Sequence, residues 1–281
     1  MGAAVRLPSL WRPRQRGWLT TAVVVVIVLG ATVLLWQGSS RGIGPFRKAP
    51  AWLSGSIACP KFPMEHVSMP ARLDVIAPCS TLSGTVRSVD RDPHDLELII
   101  LVEPDAQYAN FIDSKIQRYI IVKVPPFEQP GVTVPLVDEH ATFYGSWVVN
   151  RRASVKGTLE LHPTWAITTE HATSAATPNA VFSVAITSPR SVVVGAPLKF
   201  TVKVKSRAHQ PPEAVSEAVI YLELSGDGGV TRWAAELSNS FGVATLNLTS
   251  LEIPGVYRIL VHASKGHDFG TARASVQIQR T

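Results

Sequence analysis

The stretch TLELHPTWAI, Thr158–Ile167, carries the residues of this chain best suited to chemistry. Glu160 and His162 stand two residues apart, a spacing that puts a carboxylate and an imidazole on one face of a strand. Such a pair can share a proton or give two ligands to a metal ion. A metal site wants three or four donors, and Glu97 or His140 could complete the set only through the fold. If Leu159 and Leu161 point into a barrel, Glu160 and His162 point outward. The competing role is structural: a Glu–His hydrogen bond on a partly exposed outer face, pinning the strand. The sequence supplies two ligands and no visible third, so the structural role is the expectation. Glu160, His162 and Glu97 remain the metal-site candidates.

Other chemical motifs are sparse. DRDPHDLE, residues 90–97, gathers Asp90, Asp92, Asp95 and Glu97, but lacks the glycine and spacing of an EF-hand loop. An acidic β-turn around Asp-Pro is the expectation. There is no GxSxG, P-loop or HExxH, and no CxxC or CxxCH to suggest zinc or covalent haem. No cofactor is called for. Asn247 in NLT matches a glycosylation sequon, which occurs readily by chance.

The elements that must position these residues follow from charge and hydropathy. The 281-residue chain has a net charge of +6. Residues 1–48 hold seven Lys or Arg and no acid, whereas the remainder has twenty basic and twenty-one acidic side chains. The excess basicity therefore flanks one apolar run, Trp18 to Trp36, which has no charge. At about 1.5 Å per helical residue this run spans ~27 Å, close to a bilayer core. A Trp at each end, Trp18 and Trp36, suits the two interfaces. The run exceeds the apolar core of a cleaved signal peptide, so an uncleaved anchor is expected. Residues 1–17 then form a cytoplasmic basic tail, 18–36 a transmembrane helix, and 37–56 a Gly, Ser and Pro-rich stalk. The weak positive-inside bias places the bulk of the chain outside the cytoplasm.

The only cysteines, Cys59 and Cys79, bracket a segment with Pro60, Pro63, Pro70 and Pro78. No regular helix survives those prolines, so a meandering segment is expected there. Outside the cytoplasm a disulfide is expected; two unpaired thiols are the alternative.

Residues 57–169 read as five strands: STLSGTVRSVD, DLELIILVE, RYIIVKV, HATFYGSWVV and TLELHPTWAI. The insertion DAQYANFIDSKIQ has room for one short helix. Five strands with a Gly in the first suggest an OB-like barrel. Residues 170–180 form a small-residue linker, and 181–281 carry seven further strand patterns with turns such as SGDGG and IPG. That is the pattern of an Ig-like β-sandwich. The expected class is all-β, behind an N-terminal transmembrane helix.

A Cys-Pro start, a second Cys before TLSGTVRSV, the hairpin DPHDLEL, VPLVDEHATFYGSWVVN and the ELHPTWAI end together resemble an uncharacterised family of secreted bacterial OB-like domains. The resemblance covers residues 59–167. Glu160 and His162 match that family's Glu-Ile-His-Pro ending and Asp95 can match its hairpin Asp. Glu97 stands where a His is usual, and Asn150 where an Asp is usual. PGVYRILVHA after GVATLNL resembles a generic bacterial Ig-like domain.

OB-like barrels often bind nucleic acid through a basic groove. Residues 57–169 hold ten Lys or Arg against thirteen Asp or Glu, which speaks against nucleic acid. The expected role is non-enzymatic: a single-pass cell-membrane protein that binds or scaffolds in the cell envelope, with a protein or glycan partner and the bilayer held through residues 18–36. A metal-assisted hydrolase centred on Glu160 and His162, and a membrane-tethered ligand sensor, are the alternatives.

Overall fold

The computed structural model describes residues 60–109, 111–112, 117–151, 157–170, 177–227, 231–249 and 251–280. The expected basic tail, transmembrane helix with Trp18 and Trp36, stalk and Cys59 lie outside the described residues. Phe46–Thr281 forms one compact unit.

Five strands build a closed barrel. They are β1 (Leu73–Arg91), β2 (Leu98–Pro104), β3 (Ile120–Val124), β4 (His140–Asn150) and β5 (Thr158–Thr169). Their order around the barrel is β1-β2-β3-β5-β4. All pairings are antiparallel except β3 with β5, where Ile121 lies beside Glu160 and Val122 beside Leu161. β-branched and aliphatic residues favour these pleated segments, and alternation sends Leu82, Val86, Ile100, Val102, Ile120, Val122 and Leu161 into a buried interior. Closure leaves the barrel without a free edge.

Two glycines mark close approaches. A Cβ on Gly84 would run into the carbonyl oxygen of Glu103 on β2, and one on Gly145 would meet the carbonyl of Pro163. Pro163 does not end β5, because the β4–β5 register shifts around Gly145 and pairing resumes at Thr164.

The second region is a sandwich. One sheet runs β11-β10-β13-β14-β7 and the other β12-β8-β6, with β9 attached to β8. The strands are β6 (Phe182–Thr187), β7 (Ser191–Val193), β8 (Leu198–Ser206), β9 (Glu213–Ala214), β10 (Val219–Gly226), β11 (Thr231–Leu237), β12 (Val243–Leu248), β13 (Gly255–Lys265) and β14 (Asp268–Gln279). Phe200, Val202, Leu222, Ile259 and Val261 fill the space between the sheets.

The architecture is all-β, OB-like and Ig-like. The insertion after β2 holds a short 3₁₀ helix, Ala106–Tyr108, as expected of that segment. Two local expectations are corrected. The Pro-rich segment becomes strand earlier than expected: β1 begins at Leu73, and register shifts between Val75 and Ser80 absorb Pro78. The sandwich adds β7 and β9, too short to show a period.

Cys79 lies in β1 and is held in a disulfide rather than free. The pairing expected from the sequence, with Cys59, should appear as one cross-linked peptide pair in mass spectrometry of the unreduced protein. Cys79→Ser should lower stability by about 3 kcal/mol, the chain-entropy value for a loop of this length. Two alkylatable thiols in the native protein would defeat the pairing.

Candidate functional site

The hairpin before β2 sets the first charged group. Asp92 accepts a hydrogen bond from Leu96 N at 2.9 Å and donates its own amide to Glu97 O at 2.9 Å, while its side chain accepts from His94 N at 2.8 Å. Leu96 takes a left-handed φ of 58° to close the turn. Asp95 points inward, accepting from Glu97 N at 3.2 Å and from Ser68 Oγ at 3.1 Å. These carboxylates serve the turn, as expected of an Asp-Pro hairpin.

Glu97 enters β2 on the face opposite the barrel interior. Lys123 on β3, between buried Val122 and Val124, and Glu160 and His162 on β5 share that face. The four side chains meet. His162 Nε2 lies 3.1 Å from Glu97 Oε1, and Lys123 Nζ donates to Glu97 Oε2 at 3.0 Å. His162 Nδ1 stands 3.7 Å from Glu160 Oε2, an ion-pair contact longer than a hydrogen bond. Asn150 Nδ2 donates to Glu160 Oε1 at 3.1 Å.

The expected partly exposed pair is therefore corrected in two ways. Glu160 is 2% exposed and His162 4%. The hydrogen bond of His162 goes to Glu97, not to Glu160. Alternation correctly turned both residues outward, but the outer face is itself covered. Ser68 Oγ lies 3.5 Å from Glu97 Oε1, and Tyr221 of β10 is close enough to feel the charge of Glu97. Glu97 is the hub of the cluster, and Asn150 holds Glu160. His140 stands elsewhere, 3.0 Å from Asp105 on the exposed surface.

Burial and charge oppose each other here, and charge prevails. Desolvation would raise the Glu97 carboxyl, but His162 and Lys123 hold it down at about 2. Desolvation would lower His162, but Glu97 and Glu160 lift it to about 9. Lys123 is likewise raised above its ordinary value, because Glu97 and Glu160 outweigh its burial. Asp95 is pushed up by burial and by Glu97. A histidine held protonated has no lone pair to accept a substrate proton or bind a metal. Lys123 already meets the second Glu97 oxygen with a positive charge. Among the described residues no group of three or more His, Cys, Asp or Glu side chains is arranged to hold a metal.

Lys123, Ser68 and Tyr221 were not singled out from the sequence. The only signal for Lys123 was a lone charge inside the apolar run IIVKV; nothing local marks Ser68 or Tyr221.

An aromatic ladder adjoins the cluster where barrel and sandwich meet. His66 stacks on Phe127 at 3.9 Å between ring centroids, Phe127 lies 4.6 Å from His262 of β13, and His262 stacks 5.7 Å from Phe269 of β14. His66 Nδ1 also lies 3.0 Å from Glu223 Oε2 on β10, a hydrogen bond that holds the Glu223 carboxyl below its usual range. Burial, aided by the charge of His66, lowers His262 to about 4.

Beside His66 opens a concavity of about 680 Å³, lined among others by Glu65, Tyr221, Glu223, Arg232 and Trp233. Cross-strand pairing puts Glu223 next to Trp233. Arg232 is exposed and Trp233 half-buried at its rim.

No protein-family model matches the sequence, and comparison with curated proteins finds no match. Among solved structures, a superoxide reductase (neelaredoxin) from Ignicoccus hospitalis is 19% identical with a TM-score of 0.26, over 34% of this chain and 80% of that one. The alpha-2-macroglobulin of Salmonella is 13% identical with a TM-score of 0.33, over 72% of this chain and 16% of its own length. The CARDB domain of a Pyrococcus furiosus protein is 17% identical with a TM-score of 0.24, over 36% and 96%. Likenesses of this size carry no argument about activity or ligands.

Removing one partner from a buried, hydrogen-bonded ion pair leaves an uncompensated charge and costs about 3–5 kcal/mol. Glu97→Gln and Lys123→Met should each lower the unfolding free energy by that order, more than an exposed pair would allow. The pH profile should follow two linked titrations. The contribution of His162, whose folded pKa is raised, is complete below about pH 6.5 and lost as pH climbs through about 9. That of Glu97, whose folded pKa is depressed, is complete above about pH 4.5 and lost as pH falls towards 2. Thermal unfolding against pH should show both limbs, and His162→Gln should remove the alkaline one. An unchanged alkaline limb would refute the assignment.

Proposed function

We propose that the chain is a membrane-anchored extracytoplasmic protein that binds or scaffolds in the cell envelope, with a protein or glycan partner and without catalysis of its own. The observation that carries this reading is the concavity lined by Glu65, Tyr221, Glu223, Arg232 and Trp233. A concave site with an aromatic wall and a few polar groups is the usual form of a recognition surface. The charged cluster around Glu97, by contrast, is buried and consumed by its own ion pairs. Its groups are poor bases and nucleophiles, which weighs against the hydrolase alternative.

The basic N-terminal residues and the apolar run Trp18–Trp36 support anchoring with the β regions outside. The resemblance of residues 59–167 to secreted bacterial OB-like domains supports the same placement.

Two measurements test the reading. Protease added to intact cells, or to spheroplasts where an outer layer intervenes, should digest residues 40–281. Protection of that region with an accessible N-terminus would reverse the orientation. A photo-crosslinking side chain placed at Arg232 should capture an envelope protein or glycan in living cells, and the same group at Arg87, on the exposed barrel surface, should not. Equal capture at both positions, or none at Arg232, would sink the groove as the binding surface.

A further inference from the structure

The outer face of the β12-β8-β6 sheet carries charge that the chain does not neutralise. Along β8, Leu198, Phe200, Val202 and Val204 are buried, whereas Lys199 and Lys203 are exposed and Lys205 half-exposed on the other face. At about 3.3 Å per strand residue, these three ammonium groups form a row about 20 Å long. The neighbours on that face follow from register. Lys199 lies beside Asn247, Thr201 beside Thr245 and Thr187, Lys203 beside Val243 and Ala185, and Lys205 beside Ser183. None is an acid. Glu213, the carboxylate at the end of the sheet, pairs with Ser206 and so points to the opposite side. Among the described residues no ion pair involves any of the three lysines.

Two ordinary explanations fail. Lysine on an edge strand blocks unwanted pairing, but β8 is interior, flanked by β12 and β6. Lysine also balances cross-strand acids, and the facing positions here are Ser, Thr, Asn, Ala and Val. Like charges are left side by side, an arrangement that a polyanion would relieve.

We infer that this face docks an acidic polysaccharide of the envelope, its carboxylates paired with Lys199, Lys203 and Lys205 and its hydroxyls hydrogen-bonded by Ser183, Thr187, Thr201, Thr245 and Asn247. The inference rests on the extracytoplasmic placement proposed above and adds a charged glycan on a face of the other sheet, separate from the groove. An anionic membrane is the lesser fit. Membrane-surface docking pairs basic residues with several inserted Trp, Phe or Leu, and the strand positions of this face offer none, Phe241 in the turn before β12 being a single exposed ring at its margin.

The test uses the full chain in neutral detergent, with polygalacturonate as acidic polymer, dextran as neutral control, and phosphatidylglycerol vesicles as the lipid arm. The protein should bind polygalacturonate and not dextran, with affinity falling as salt rises. Replacing Lys199, Lys203 and Lys205 together by Gln should weaken binding about tenfold, the combined effect of three surface charge pairs. Replacement by Arg, which keeps the charge, should restore it and controls for folding. Absent polymer binding, binding undiminished by the Gln variant, or equal binding to dextran would each overturn the inference. So would lysine-dependent binding to the vesicles without binding to the polymer. Because the assay is made in solution, its failure is separable from a wrong orientation, which proteolysis reads independently.

Discussion

The contact between Glu97 and its two cationic partners is the constraint on which the arrangement of this molecule depends. A carboxylate buried on the outside of a barrel is costly unless its charge is met and its oxygens are hydrogen-bonded. His162 meets one oxygen and Lys123 the other. The three residues come from a hairpin, from β3 and from β5, so satisfying them fixes β3 beside β5. That is the parallel pairing that closes the barrel. Once closed, the sheet presents a polar patch that must be shielded, since desolvation is what gives the pairs their strength.

The shield has two parts. Ser68, from the segment that precedes β1, reaches the hairpin carboxylates, and Tyr221 stands over the cluster from the sandwich. Burial, with Glu223 and Glu97 nearby, pushes the tyrosine hydroxyl well above its ordinary pKa, so it remains neutral there. The stack of His66, Phe127, His262 and Phe269 continues the seal with rings. The charged pairs fix geometry through directed hydrogen bonds, and the rings add apolar contact beside them.

Much of this was legible in the sequence, and the reason is periodicity. Alternating β-branched residues located five barrel strands and seven of the nine sandwich strands, and parity placed Glu160 and His162 on one face, opposite Leu159 and Leu161. What covers that face was not legible, because alternation says which way a side chain points and nothing about what packs on it. The groups that reach the cluster from outside the barrel, Ser68 and Tyr221, lie far from position 160 in the chain. Lys123 was hidden for a related reason: a single lysine in an apolar strand looks like an ordinary solvent-facing residue. The strand at Leu73–Cys79 was obscured by proline, which removes a backbone donor but is tolerated where the register shifts.

The two sets of lysines illustrate the same rule from opposite sides. Lys123 sits among carboxylates contributed by other strands, and it is 16% exposed because the chain itself supplies the opposite charge. Lys199 and Lys203 sit on a strand whose neighbours supply none, and they remain at the surface. Ion pairing within the chain permits burial, and its absence on the sandwich face keeps those charges in water. Charge that is internally matched stabilises the fold; charge left unmatched on a flat, hydroxyl-bearing face is available to a partner. The position of each lysine in its sheet, more than its residue type, decides which of these it does.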